Sequence, residues 1–190
     1  MTLFIDLETA GLDYKRNGIV DISYIIEDEH KDYAEVARGT IKINPLYKTS
    51  ISKRAMEING YTIEQVKQFD LLDVGIKTLH KILVSSIPDG DKYNVVAYNQ
   101  DFDKNFLIEA YNLILPRAFG KIMSYKWICP YQVIIWKSHL GLIDLPDHKL
   151  QTVCNVLGIP IEAHKSDSDI EATRILYHKL RKLEPKEKLV

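Results

Sequence analysis

The sequence predicts an α/β fold, a mixed sheet carrying helices, and three observations lead there. Apolar and β-branched runs of strand length come first, around residues 3–7, 19–26 and 35–43, broken by the turn-forming GLDYKRNG and the charged EDEHKD. Helical periodicity dominates the remainder. Short strand-like runs are interleaved with those helices, which places them in the same sheet rather than in a separate all-α unit.

The elements follow in order. After the first strand, Gly11 and residues 15–18 mark a turn, and strands 19–26 and 35–43 complete an antiparallel meander that Asn44-Pro45 ends. Residues 52–59 and 62–69 read as helical around a break at Gly60, with the Thr62 hydroxyl suited to cap the second segment. Residues 74–84 continue as a helix, with Ile76, Leu79 and Leu83 on one side. A turn at residues 88–91 precedes a short buried strand, 94–98, and a helix over 103–115 that Pro116 closes. Residues 122–136 are rich in aromatic and β-branched types but interrupted by Pro130; they divide into a strand up to Cys129 and a helix after it. A helix over 150–157 stops at Gly158, and the last helix, 169–182, turns Ile170, Thr173, Leu176, Tyr177, Leu180 and Leu183 inward.

Composition narrows the function classes. The 190 residues suffice for one well-buried core, so residues 1–183 are expected to form a single domain, with 184–190 as a solvated tail of mixed charge. No apolar run approaches the ~20 residues of a membrane span, and no secretory leader is evident at the start, so a cytoplasmic location is expected. Cys129 and Cys154 lack C-x-x-C spacing and are expected to be buried thiols. A net charge of −1 excludes coating of nucleic acid by bulk electrostatics, so any such contact must be local. Dinucleotide, P-loop, nucleophile-elbow and H-E-x-x-H motifs are absent.

What stands out is acid in apolar settings. In FIDLETAGL, Asp6 and Glu8 stand two apart on a strand and therefore share one face, an unfavourable pairing unless a cation lies between them. Asp103 heads a helical column of Phe106, Leu107, Ala110 and Ile114, and Asp169 heads one of Ala172, Thr173, Leu176 and Leu180. Taken singly, Asp103 and Asp169 are better explained as helix caps or dipole partners; Ser168 and Glu171 fit a capping box, and Asp101 and Asp167 fit capping or solvent. Four carboxylates on the inner sides of three elements suit hard cations such as Mg²⁺ or Mn²⁺, whereas zinc would call for His and Cys clusters. Two such ions ~4 Å apart support phosphodiester hydrolysis. His164, five residues before Asp169, has the ordinary pKa of ~6.5 that suits a general base.

These residues resemble the motifs of the DnaQ-like 3′–5′ exonucleases of the DEDDh type, which have a ribonuclease H-like fold. FIDLETAGL is similar to the first motif, AYNQDFDKNFL to the second and HKSDSDIEAT to the third; AMEINGYTIEQV and HKLQTVCNVLGI add lesser similarities, so that the resemblance spans nearly the whole chain. It implies a central five-stranded mixed sheet flanked by helices. It implies two Mg²⁺ or Mn²⁺ ions held by Asp6, Glu8, Asp103 and Asp169, with His164 deprotonating the attacking water and a nucleoside 5′-monophosphate leaving from the 3′ end. Glu8 and Thr9 would meet the terminal 3′-hydroxyl, Leu12 would wedge between the last two bases, and Phe102, Ile58 and Asn59 would line the nucleotide pocket. The expected substrate is the 3′ end of DNA, preferably single-stranded. RNA is the alternative, as in the oligoribonuclease and ribonuclease T branches, and a non-catalytic nucleic-acid-binding module is the more distant one. A polymerase or another replication or repair protein is the expected partner class, and no membrane is involved. Tyr98-Asn99, Ala10 and Asn59 depart from common family choices (His-Asn, Thr and His) and bear on substrate fit; Asp167, beside Asp169, is the other acid that could serve as ligand.

Overall fold

The computed structural model describes residues 1–162 and 166–182. Its five strands are β1 (Thr2–Thr9), β2 (Ile19–Asp28), β3 (Ala34–Lys42), β4 (Tyr93–Val96) and β5 (Met123–Ile128), ordered β3-β2-β1-β4-β5. The meander β1-β2-β3 is antiparallel, and β4 and β5 add in parallel through helical crossovers. The helices are α1 (Lys53–Asn59), α2 (Ile63–Val66), α3 (Leu72–Ser85), α4 (Gln100–Ile114), α5 (Phe119–Ile122), α6 (Pro130–His139), α7 (Leu150–Leu157) and α8 (Ser166–Lys182).

Alternation along β1 assigns its two faces. Leu3, Ile5 and Leu7 join Ile22, Tyr24 and Ile26 in a core closed by Ile76 and Leu79 of α3 and Phe106 and Leu107 of α4. Phe4, on the opposite face, packs with Ile25, Val96 and Ile170 beneath α8, its ring 5.4 Å from that of Tyr177. A second core joins α6, α7 and α8 through Ile134, Val153, Cys154, Ala172 and Leu176. The face of β1 and β2 that carries Phe4 also carries Asp6 and Glu8, and α8 crosses it from one end to the other. At the far end the buried Glu27 carboxylate is held by Arg174 at 3.1 Å and His178 at 2.8 Å.

Local signals account for most boundaries. Ser52 caps α1 and Gly60 ends it at φ 72°, a left-handed conformation that glycine takes without a Cβ penalty. Thr62 and Gln65 form a reciprocal capping box on α2, which is one turn long rather than running to residue 69. Pro130 is at the first turn of α6, where its missing N–H costs nothing, so the expected strand-to-helix change occurs there.

Several expectations need correction. Helices α4 and α8 begin at Gln100 and Ser166, three residues before Asp103 and Asp169, so neither acid is an N-cap. Ser168 is inside α8, where its hydroxyl accepts from the Glu162 N–H at 2.7 Å, and Glu171 binds Arg174 and Arg38; the expected capping box does not form because the helix has already started. Cys129 precedes α6 and is only partly buried, its thiol donating to the Tyr98 carbonyl, while Cys154 is fully buried. The short helix α5 was not expected at all. His164, Leu183 and the tail 184–190 lie outside the described residues.

Candidate active site

Strand β4 pairs with β1 only along Thr2, Leu3 and Phe4, so beyond that point the β1 edge is open. Helix α4 fills the gap: the Leu7 N–H, between the two strand acids, donates to Asp103 Oδ1 at 3.0 Å in a buried setting. An otherwise orphaned backbone donor is thereby satisfied, and Asp103 is fixed against β1. Asp169 comes from the first turns of α8, laid over the same sheet face. The Thr40 hydroxyl, itself hydrogen-bonded with Ser23 at 2.8 Å, donates to Asp167 at 2.8 Å and ties the start of α8 to β3. Asp167 is exposed and engaged in that tie, whereas Asp169 acts electrostatically on Asp6 and Glu8.

The electrostatics bind the group together. Burial first, then the charges of Asp169 and Asp21, push the Asp6 carboxyl up to about 7. Glu8 is pushed up to about 8, by burial and then by Asp6, Asp21 and Asp169. Asp103 is raised well above the carboxylate range by burial and by Asp6, with the Leu7 N–H opposing. Acids from β1, α4 and α8 therefore share one low-dielectric space in which they raise one another.

Asp21 belongs to this group and was missed in the sequence. It is the cross-strand partner of Glu8, fully buried, and pushed up to about 6 by burial, against the lowering influence of the Tyr61 hydroxyl and Lys42. Its signal was present in IVDIS, an acid inside a buried strand, the same anomaly that drew attention to Asp6 and Glu8.

Beside these acids opens a cleft of about 480 Å³ lined by Glu8, Asp21, Asn59, Tyr61, Glu162, Ser166, Asp167 and Ser168. Asn59 donates to the Thr9 carbonyl at 2.9 Å, and the Thr9 hydroxyl closes on the Gly11 carbonyl at 2.7 Å. Leu12 projects from that turn, 87% exposed, while Asn17 braces the turn through the Asp13 N–H and the Ser50 carbonyl. Ile58 is exposed on α1, and Phe102 packs against Phe106 at 4.9 Å; neither lines the cleft. The departures have structural uses: Ala10 is buried with Val20, Met56 and Val66, and the Tyr98 hydroxyl donates to the His148 carbonyl at 2.5 Å.

Among the described residues, no three His, Cys, Asp or Glu side chains stand as a ready-made cage for an ion. The donor chemistry nevertheless fits a hard divalent cation: among the described residues the converging groups are carboxylates whose charges oppose one another, and Asp21 Oδ1 is buried with no hydrogen-bond partner. Asp6, Glu8, Asp103 and Asp169 are the residues that would hold it.

A family model described as an exonuclease of the ribonuclease T type matches residues 3–177. The fold matches E. coli exonuclease I in complex with a dT13 oligonucleotide, with a TM-score of 0.76 and 17% identity over 95% of this chain and 40% of that one. A zinc-bound form of the E. coli exonuclease I complex with single-stranded DNA gives a TM-score of 0.80 at 17% identity, over 97% and 41%. A complex of exonuclease I with SSB-Ct gives 0.78 at 16%, over 97% and 42%. The chain thus spans about two fifths of the exonuclease I chains it matches. No curated protein matches it. With the five-stranded mixed sheet, the flanking helices and a family match over nearly its whole length, the chain belongs to the DnaQ-like exonuclease family and has its ribonuclease H-like fold.

Proposed function

We propose that this protein is a DEDDh-type 3′–5′ exonuclease that hydrolyses phosphodiester bonds from the 3′ end of DNA, preferably single-stranded, and releases nucleoside 5′-monophosphates. The observation that carries the reading is the convergence of Asp6, Glu8, Asp103 and Asp169 from β1, α4 and α8, with Asp6, Glu8 and Asp103 each raised by burial and by neighbouring acids. Two bound Mg²⁺ or Mn²⁺ ions would supply an activated water and stabilise the leaving oxygen.

The chain's own residues do the rest. Asp103, held by the Leu7 N–H, keeps its carboxylate against β1. Glu8 and Thr9 meet the terminal sugar, exposed Leu12 enters between the last two bases, Asn59 flanks the terminal nucleotide from the cleft, and Phe102 and Ile58 approach it from outside the cleft. His164 accepts the proton of the attacking water. DNA is favoured because the matched exonuclease I structures hold dT13 and dA16 oligonucleotides. Among the described residues no Lys or Arg lines the cleft, so those residues grip few phosphates there and action is distributive unless a replication or repair partner, such as a polymerase, retains the substrate.

The test is incubation of 5′-labelled single-stranded DNA and RNA of equal length with Mg²⁺. A ladder shortened from the 3′ end on DNA, stopped by EDTA and by folded Asp6→Ala and His164→Ala variants, is expected. Degradation of RNA alone would replace the substrate with RNA, and release from neither would leave a binding module.

A further inference from the structure

Asp21 has no part in the four-carboxylate set, yet it is the most deeply enclosed acid beside it, with no exposed surface. Its register opposite Glu8 puts both side chains on the sheet face that α8 covers, with Cβ atoms ~4.5–5.5 Å apart as in any directly opposed antiparallel pair. One carboxylate oxygen is anchored: the Tyr61 hydroxyl donates to Oδ2 at 3.0 Å. The other, Oδ1, is buried without a hydrogen-bond partner among the described residues and belongs to a residue lining the cleft. The Glu8 N–H lends Asp21 some stabilisation without reaching hydrogen-bond geometry.

The surroundings restrict what Oδ1 can receive. Glu8, Glu162 and Asp167 line the same cleft and, among the described residues, no cationic side chain does, so a phosphate is disfavoured beside these acids and a donor or a cation's hydration shell is favoured. Lys42, whose charge lowers the Asp21 carboxyl, has its ammonium 5.5 Å from the centre of the Tyr61 ring and 5.3 Å from that of Phe69. A buried carboxylate oxygen left bare loses its hydration without recompense, so its retention beside Glu8 calls for a donor. Hard divalent ions bound by few protein oxygens keep several waters, and those waters are strong donors.

We propose that Asp21 is a positioning residue of the cation site: Tyr61 fixes its orientation, and its free oxygen accepts from a water ligand of the cation that Asp6 and Glu8 would hold. The inference rests on the metal-dependent reading of the site. Asp21 touches neither substrate nor ion, and it acts by orienting the ion's hydration beside Glu8.

The experiment is calorimetric titration of Mn²⁺, without nucleic acid, into the wild-type protein, Asp21→Asn, Tyr61→Phe and Asp6→Asn, with circular dichroism to confirm that each is folded. Asp21→Asn is expected to weaken Mn²⁺ binding about 10- to 100-fold, the usual effect of losing such an outer partner, and Tyr61→Phe to weaken it less in the same direction. Nuclease activity of Asp21→Asn should then return at raised Mn²⁺ concentration. Tyr61→Phe keeps the inference testable if Asp21→Asn fails to fold, since it removes only the hydroxyl anchor. Wild-type affinity in Asp21→Asn, or in Tyr61→Phe where Asp21→Asn does not fold, together with loss of binding in Asp6→Asn, would overturn the role of Asp21 alone. Wild-type affinity in Asp6→Asn would overturn the metal site itself, and the role of Asp21 with it.

Discussion

Stripped of divalent cations, the protein should lose stability as the pH rises from about 5 to about 8, and Mg²⁺ should remove most of that slope. The Asp6 carboxyl is pushed from its ordinary 3.8 up to about 7, and Glu8 from 4.5 up to about 8. Between those limits the folded protein holds protons that the unfolded chain has released, so stability falls as pH rises. The penalty is absent below pH ~4 and fully expressed above pH ~8. For Asp6 alone the displacement corresponds to about 4 kcal/mol, a sizeable part of the ~5–15 kcal/mol by which a domain is usually stable. Asp6 and Glu8 repel each other, so their contributions overlap and do not add. The assay is urea denaturation followed by far-UV circular dichroism at pH 5, 6, 7 and 8, in EDTA and in Mg²⁺. Asp6→Asn should flatten the EDTA profile and stabilise the metal-free protein at pH 8. A wild-type EDTA profile that is level, or that rises with pH, would refute the argument that these acids are enclosed together.

Three further outcomes follow from the packing. Arg174→Met should destabilise the fold by about 3 kcal/mol in denaturant titration, because the buried Glu27 would keep, among the described residues, His178 alone as ion-pair partner. Tyr98→Phe should cost about 1 kcal/mol, the hydrogen bond to the His148 carbonyl, measurable in the same titration and without effect on Mn²⁺ affinity. Leu12→Ala should leave stability within about 0.5 kcal/mol, since the side chain is exposed, while lowering kcat/KM on 3′-terminal substrates; an unchanged kcat/KM would remove Leu12 from the nucleotide site.

The meander was legible because strand-length apolar runs bounded by turn signals mark β1, β2 and β3, and the helical period marks α3 and α8; β4 and β5 were legible as strands of a mixed sheet, and their parallel pairing comes from the structure. Helix starts were less so: Asp103 and Asp169 drew the boundary to themselves, although the chain is already helical at Gln100 and Ser166, where no side-chain pattern marks the onset. The acids of β1 were conspicuous because a strand has little other use for two on one face. Asp21 escaped because it stood alone in IVDIS, and only the register with Glu8 reveals that it belongs to them. Helix α5, four residues long, is set by packing of Phe119 and Ile122 on the core rather than by any period of its own.

The most direct test of the central claim is anomalous diffraction from crystals of the protein grown or soaked with Mn²⁺. Two peaks bounded by the carboxylates of Asp6, Glu8, Asp103 and Asp169 are the predicted result, whereas Mn²⁺ bound elsewhere, or absent from these four at saturating concentration, would contradict the account.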